Sequence, residues 1–184
     1  MTSHAALLLA LALAPRVAVA ADVAAASAQL RDAKNQPVGA AILRETPNGV
    51  VIGVDLHGLP PGTHGFHIHT TGKCEAPFES AGSHLNPTGK KHGWVSPNGA
   101  HAGDLPNLVV PPSGAVKAEF FAAGVTLQPG KPGSLLDQDG SALVVHAGPD
   151  DYATDPAGNS GARIACGVIQ ATGGSAGAAK GSGR

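Results

Sequence analysis

The segment from Thr71 to Ser113 restricts the fold more than any other, because it carries six Pro and six Gly and few apolar clusters. Connections in compact domains usually run about 4–6 residues, and structureless ones beyond about 15 are uncommon. A stretch of this length either has a task or is held down by something other than a hydrophobic core. The flanking elements must therefore form a scaffold stiff enough to carry it.

That scaffold reads as strands. Short Val-, Ile-, Leu- and Ala-rich stretches recur between turn signals. Ala25 to Arg31 runs into Asn35-Gln36-Pro37, and Gly39 to Arg44 and Val50 to Leu56 flank Pro47-Asn48-Gly49 as a hairpin. Pro60-Pro61-Gly62 precedes His64 to Thr70, and Ala115 to Phe121, Ser141 to Ala147 and Ala162 to Gln170 complete the set, with a second long connection from Gly148 to Gly161. No stretch sustains apolar spacing at 3.6 residues, so little helix is expected. The expected class is all-β, a Greek-key β-barrel or sandwich of about eight antiparallel strands with two long functional loops.

Charge and hydropathy exclude whole classes of function. With 12 Lys+Arg against 13 Asp+Glu the net charge is −1, so the basic field a nucleic-acid binder needs is missing. The longest apolar run, Ala5 to Ala14, is about half of the roughly 20 residues needed to cross a bilayer, so no membrane span is expected. The same run, followed by Pro15 and the small-x-small triplet Ala18-Val19-Ala20, reads as a secretory signal peptide over 1–20, cleaved after about Ala20. Export would place the two cysteines in an oxidising compartment. Ala171 to Arg184 is Gly- and Ala-rich with nothing to bury, a flexible tail, which leaves 21–170 as the folded domain.

The nine histidines are concentrated. His67 and His69 flank Ile68; on a strand they share one face with Cα atoms about 6.5–7 Å apart, so two imidazoles can converge on one ion while Ile68 faces the core. His84, His92, His101 and Asp104 follow inside the long segment, and His146 ends the apolar strand Leu143-Val144-Val145. Imidazoles suit copper and zinc, and imidazoles plus one carboxylate make a regular zinc set. Metal binding would also anchor a segment without its own core.

The residues Gly65-Phe66-His67-Ile68-His69, Cys74, Ser80-Ala81-Gly82, His84-Leu85-Asn86-Pro87, His92-Gly93, His101-Ala102-Gly103-Asp104-Leu105, His146 and Gly161-Ala162-Arg163-Ile164-Ala165-Cys166-Gly167 together resemble the Cu/Zn superoxide dismutase family over about Ala24 to Gln170. The ten-residue step from Cys74 to His84 is similar to the bacterial secreted branch. The resemblance implies one copper and one zinc ion per subunit. His67, His69, His84 and His146 would bind copper, and His84, His92, His101 and Asp104 zinc, with His84 bridging the ions. It further implies that Asp150 links a copper-ligand ring to a zinc-ligand ring, here His67 and His92, and that His64 braces the copper site. Arg163 would position the superoxide anion, His84 would pick up a proton for the outgoing peroxide, and Cys74 and Cys166 would form a disulfide; two free thiols are the alternative. Dioxygen and hydrogen peroxide would be the products, and a periplasmic location follows from the signal.

The steering lysines usual in the family's second loop are absent, since Ala147 to Ala162 holds Asp150, Asp151 and Asp155 and no Lys. Lys73, Lys90 and Lys91 are candidate substitutes, with a solvated face as the equal alternative. Asp151 and His57 read as surface groups. Oligomeric state is open: a homodimer is one outcome, with Trp94 as a contact or a loop anchor. Two rival functions remain, a copper/zinc carrier or chaperone-like module without turnover and a three-imidazole zinc hydrolase; the second has no use for so many clustered donors.

Overall fold

A computed structural model describes residues 25–172. The signal segment expected at 1–20 and the tail beyond Thr172 lie outside the described residues. The strands, in chain order, are β1 (Ala25–Asp32), β2 (Pro37–Thr46), β3 (Gly49–Leu56), β4 (Gly62–His64), β5 (Phe66–His69), β6 (Leu108–Val110), β7 (Val116–Ala123), β8 (Ala142–His146), β9 (Arg163–Val168) and β10 (Gln170–Ala171), and Glu79–Ala81 forms a single 3₁₀ turn. No helix among the described residues is long and apolar enough to cross a membrane.

The main sheet runs β5-β8-β9-β1-β2-β3-β7 with β10 added on β1, and β4 pairs with β6 in a second sheet; all these pairings are antiparallel. The expected all-β class is the observed one. The curled sheet closes over a core that includes Leu30, Leu43, Ile52, Leu56, Phe66, Ile68, Leu127 and Leu143, all fully buried, and the Phe66 ring lies 5.0 Å from that of Phe120. On β3 burial alternates, with Val50, Ile52, Val54 and Leu56 inside and Asp55 outside, as a strand with one wet face requires. The β2–β3 register pairs Thr46 with Gly49 and leaves Pro47 and Asn48 as the turn. Gly49 takes a φ of 143°, and a Cβ there would run into the Ala122 carbonyl of β7, so this close approach admits only glycine.

Two features correct the reading of Thr71 to Ser113 as a segment without core or strand. Leu108–Val110 forms β6 against β4, too short for alternation to register. Leu85 and Leu105, isolated between polar neighbours in the sequence, are buried in the main core, so apolar anchoring as well as any metal holds this segment down. At the other end, β10 carries the pairing to Ala171, opposite Ala26.

Candidate metal centre

β5 is an edge strand, and its alternation sets up the centre: Phe66 and Ile68 enter the core while His67 and His69 face the other way, opposite Val144 and Ala142 of β8. All four residues of β5 are nonetheless buried, because the long loop covers that face. An edge strand leaves backbone groups unpaired, and the loop takes them up. Leu85 donates to the Ile68 carbonyl (2.8 Å), Ile68 to that of Gly103 (2.9 Å) and Gly103 to that of Leu85 (2.9 Å). The stitching sets His84 across from His69 and Asp104 across from His67. His146 follows the Val145/His146 irregularity at the end of β8.

The structure thus gathers two groups of side chains, His67, His69, His84 and His146, and His84, His92, His101 and Asp104; within each, the donor atoms lie within 4.8 Å of one another, and His84 belongs to both. Which nitrogen each ring turns inward follows from its other bond. His69 Nδ1 faces the Gly82 carbonyl (2.9 Å) and His146 Nδ1 that of Gly161 (3.1 Å). A carbonyl only accepts, so each Nδ1 carries the proton and each Nε2 offers a lone pair. His67 spends Nε2 on Asp150, leaving Nδ1 without a protein partner, and His84 Nε2 likewise has none although both atoms are buried.

On the other side of His84, three Nδ1 atoms converge on Asp104 Oδ1, from His84 (2.8 Å), His92 (3.1 Å) and His101 (3.2 Å), while Oδ2 accepts the backbone N–H of Gly93 and His101. One oxygen meeting three imidazoles is the donor set of a tetrahedral cation such as zinc, and four inward imidazole nitrogens suit copper. The residues present fit both ions.

The electrostatics prepare these donors. Burial pushes His69 down to about 2, helped by the His84 ring and by the Arg163 guanidinium. Burial also lowers His146 to about 3, and His84 to about 4 against the opposing hydrogen bond to Asp104. These rings are neutral at pH 7, the form that binds metal. His92 differs: burial pulls it down, but its bonds to Asp104 and Asp150 outweigh that and lift it to about 9. Burial alone would raise Asp104 and Asp150, yet hydrogen bonds from His84 and His92, and from His67 and His92, hold them well below the usual carboxylate range.

Asp150 accepts from His67 Nε2 (2.7 Å) and His92 Nε2 (2.9 Å), so one carboxylate touches a ring of each group. Its main chain is clasped by Asn107, which donates to the Asp150 carbonyl and accepts from its N–H, both at 2.8 Å. Gly158 closes this corner at a φ of 61°, where a Cβ would collide with Asp150 Oδ1. Asn107 and Gly158 escaped sequence reasoning, since no spacing ties either to Asp150. His64 is buried, with Nδ1 at the His146 carbonyl (2.8 Å) and Nε2 at that of Pro60 (2.9 Å).

Arg163 opens β9 opposite His146. Its Nη1 donates to the Phe78 carbonyl (2.6 Å) and Nη2 to that of Gly82 (2.7 Å), the same carbonyl that holds His69. The Cys74–Cys166 disulfide ties this loop to β9, with Cα atoms 5.6 Å apart, and Phe78, Ala81, Ala142 and Val144 pack around it.

The other candidates separate. Lys73 and Lys90 are exposed, while Lys91 Nζ lies 2.8 Å from Asp155 Oδ2 and is thereby partly neutralised. Lys90, Lys91 and His84 line one cavity of about 290 Å³. Asp155 Oδ1 accepts the His92 N–H, and Asp151 accepts from Ala153, Thr154 and Asn159 within its own loop. His57 is exposed, and Trp94 stacks on Tyr152 with ring centroids 5.3 Å apart.

A family model described as copper/zinc superoxide dismutase matches residues 38–169, and the chain belongs to that family. It is 49% identical over 147 residues to a Cu-Zn superoxide dismutase of Aquifex aeolicus, covering 79% of this chain and 86% of the relative. It is 40% identical to the Cu-Zn superoxide dismutase of Escherichia coli K12, with 73% and 80% covered. Among solved structures, a double mutant of a superoxide dismutase-like protein from Bacillus subtilis superposes with a TM-score of 0.76 at 44% identity, over 78% of this chain and 96% of that one. The Cu/Zn superoxide dismutase of Brucella abortus gives 0.63 at 29% identity, over 79% and 99%. The family's cofactors, copper and zinc, are those the two donor groups fit.

Proposed function

We propose that this chain converts two superoxide anions and two protons to dioxygen and hydrogen peroxide, with copper on His67 Nδ1, His69 Nε2, His84 Nε2 and His146 Nε2 and zinc on His84 Nδ1, His92 Nδ1, His101 Nδ1 and Asp104 Oδ1. The observation that carries it is the position of His84 in both donor groups, one ring nitrogen turned to each. Bound there, copper supplies the one-electron exchange, which zinc cannot. Arg163, held by two carbonyls with its charge beside His69 and His146, presents a fixed cation to a small anion. His84 Nε2 is the atom at which a proton can be held for the departing peroxide. Asp150 fixes the ring orientation of His67 and His92.

A carrier without turnover is the second reading, and relatedness alone does not discard it, since one relative at 44% identity is named only superoxide dismutase-like. A carrier needs neither Arg163 nor a shared ring. Metal analysis and superoxide consumption on one purified sample decide: equal copper and zinc with rapid dismutation supports the enzyme, and full loading without dismutation supports the carrier.

The same reading places the protein in the periplasm, with residues 1–20 removed after about Ala20. The Cys74–Cys166 disulfide supports export, and the mass of the mature amino terminus tests it. A homodimer would draw on the exposed Trp94, Val95 and Phe121; sedimentation of the loaded protein shows whether it forms.

A further inference from the structure

We propose that Glu79 is the exchangeable counter-ion of Arg163, holding the guanidinium between encounters and competing with small anions for it. The inference rests on the function proposed above.

Two short backbone bonds hold Arg163: Nη1 donates to the Phe78 carbonyl (2.6 Å) and Nη2 to that of Gly82 (2.7 Å). Beyond these bonds, Nη2 lies 3.5 Å from Glu79 Oε2, an ion pair without a hydrogen bond. The two partners differ in exposure. Arg163 is 15% exposed, locked between the loop and β9, whereas the Glu79 side chain is 75% exposed. Among the described residues its carboxylate has no other side-chain partner. An ion pair this long and wet is weak, so the carboxylate can swing into solvent when another anion arrives. The guanidinium cannot follow, because Phe78 and Gly82 hold it. Arg163 sits opposite His146 between β9 and β8 and shares the Gly82 carbonyl with His69, so the partner of Glu79 lies beside the copper donors.

A carboxylate so placed does two things. It offsets part of the charge that draws superoxide in, in a chain whose net charge is already −1 and whose second long loop holds no Lys. It also makes rival anions displace a resident one before they bind. Glu79 thereby sets anion selectivity and capture rate. A mere brace for Arg163 would act in the opposite sense.

The test is Glu79→Gln, with Glu75→Gln as control, since Glu75 is exposed on the same loop and makes the same change in net charge. Azide is titrated into the copper- and zinc-loaded protein by visible absorption, and superoxide decay is followed at low and high salt. Glu79→Gln should tighten azide and speed superoxide capture about two- to fivefold at ~10 mM salt, with the difference vanishing near 1 M. Glu75→Gln should move neither. Unchanged azide affinity in Glu79→Gln overturns the proposal, and weakened affinity overturns it in favour of a brace. If the loaded parent consumes no superoxide, it is the proposed function that fails, and the azide titration still reports on the Glu79 competition.

Discussion

His69 and His146 point their Nε2 atoms at each other across β5 and β8 at 3.4 Å. Each ring spends its Nδ1 proton on a carbonyl, so two lone pairs face one another. Burial pushes both rings well below 6.5, which keeps a proton from relieving that repulsion. A cation between them is the arrangement that turns it into binding energy.

Asp150 is predicted to couple the two metals. Asp150→Asn keeps the shape but cannot accept as an anion from both His67 and His92. Losing such a partner typically costs about 10–100-fold in metal affinity. Competition with chelators should show both copper and zinc weakened; a loss confined to one metal contradicts the coupling.

Gly158→Ala tests the same corner from the backbone. The added methyl meets Asp150 Oδ1 at a φ that disfavours side chains. Zinc retention should fall as in Asp150→Asn while the strands keep their circular dichroism. Unchanged zinc retention would show that the loop absorbs the methyl.

The metal-free protein has a signed pH dependence. His69, His146 and His84 titrate near 2, 3 and 4 when folded against 6.5 unfolded, so the unfolded chain binds more protons and stability falls as pH drops below 6.5. His92, lifted to about 9, acts oppositely: its contribution is full below 6.5 and lost as pH rises to about 9. The thermal midpoint should peak near pH 6.5 and fall more steeply on the acid side. A midpoint that is level from pH 4 to 9 contradicts this.

Removing the disulfide by Cys74→Ser with Cys166→Ser opens a link between residues 92 apart and should cost about 2–5 kcal/mol in denaturant unfolding. Azide affinity should fall as well, because the carbonyls of Phe78 and Gly82 that hold Arg163 belong to the tethered loop. Lower stability with intact azide affinity would separate the disulfide from the site.

Among the lysines, Lys90→Gln should flatten the salt dependence of superoxide consumption more than Lys91→Gln, because Asp155 already offsets the charge of Lys91. A slope in Lys90→Gln unchanged from the parent would remove Lys90 from any steering role.

What the sequence shows of this centre follows physical range. His67 and His69 are legible because strand periodicity puts them on one face, and β3 because the Pro47-Asn48-Gly49 turn leads into an apolar run. β6, with three residues, carries too little pattern, and Leu85 and Leu105 look like stray apolar residues until the loop folds over β5. The Asn107 clasp on Asp150 and the carbonyls that hold Arg163 join positions 43, 85 and 81 residues apart through backbone groups that any residue type supplies. No residue pattern can announce them.

The most direct test is anomalous diffraction at the copper and zinc edges from crystals of the fully loaded protein. One copper peak is expected at His84 Nε2 and one zinc peak at His84 Nδ1, on opposite sides of a single ring. Density of either metal on one side alone, or a ring touching neither, would contradict it.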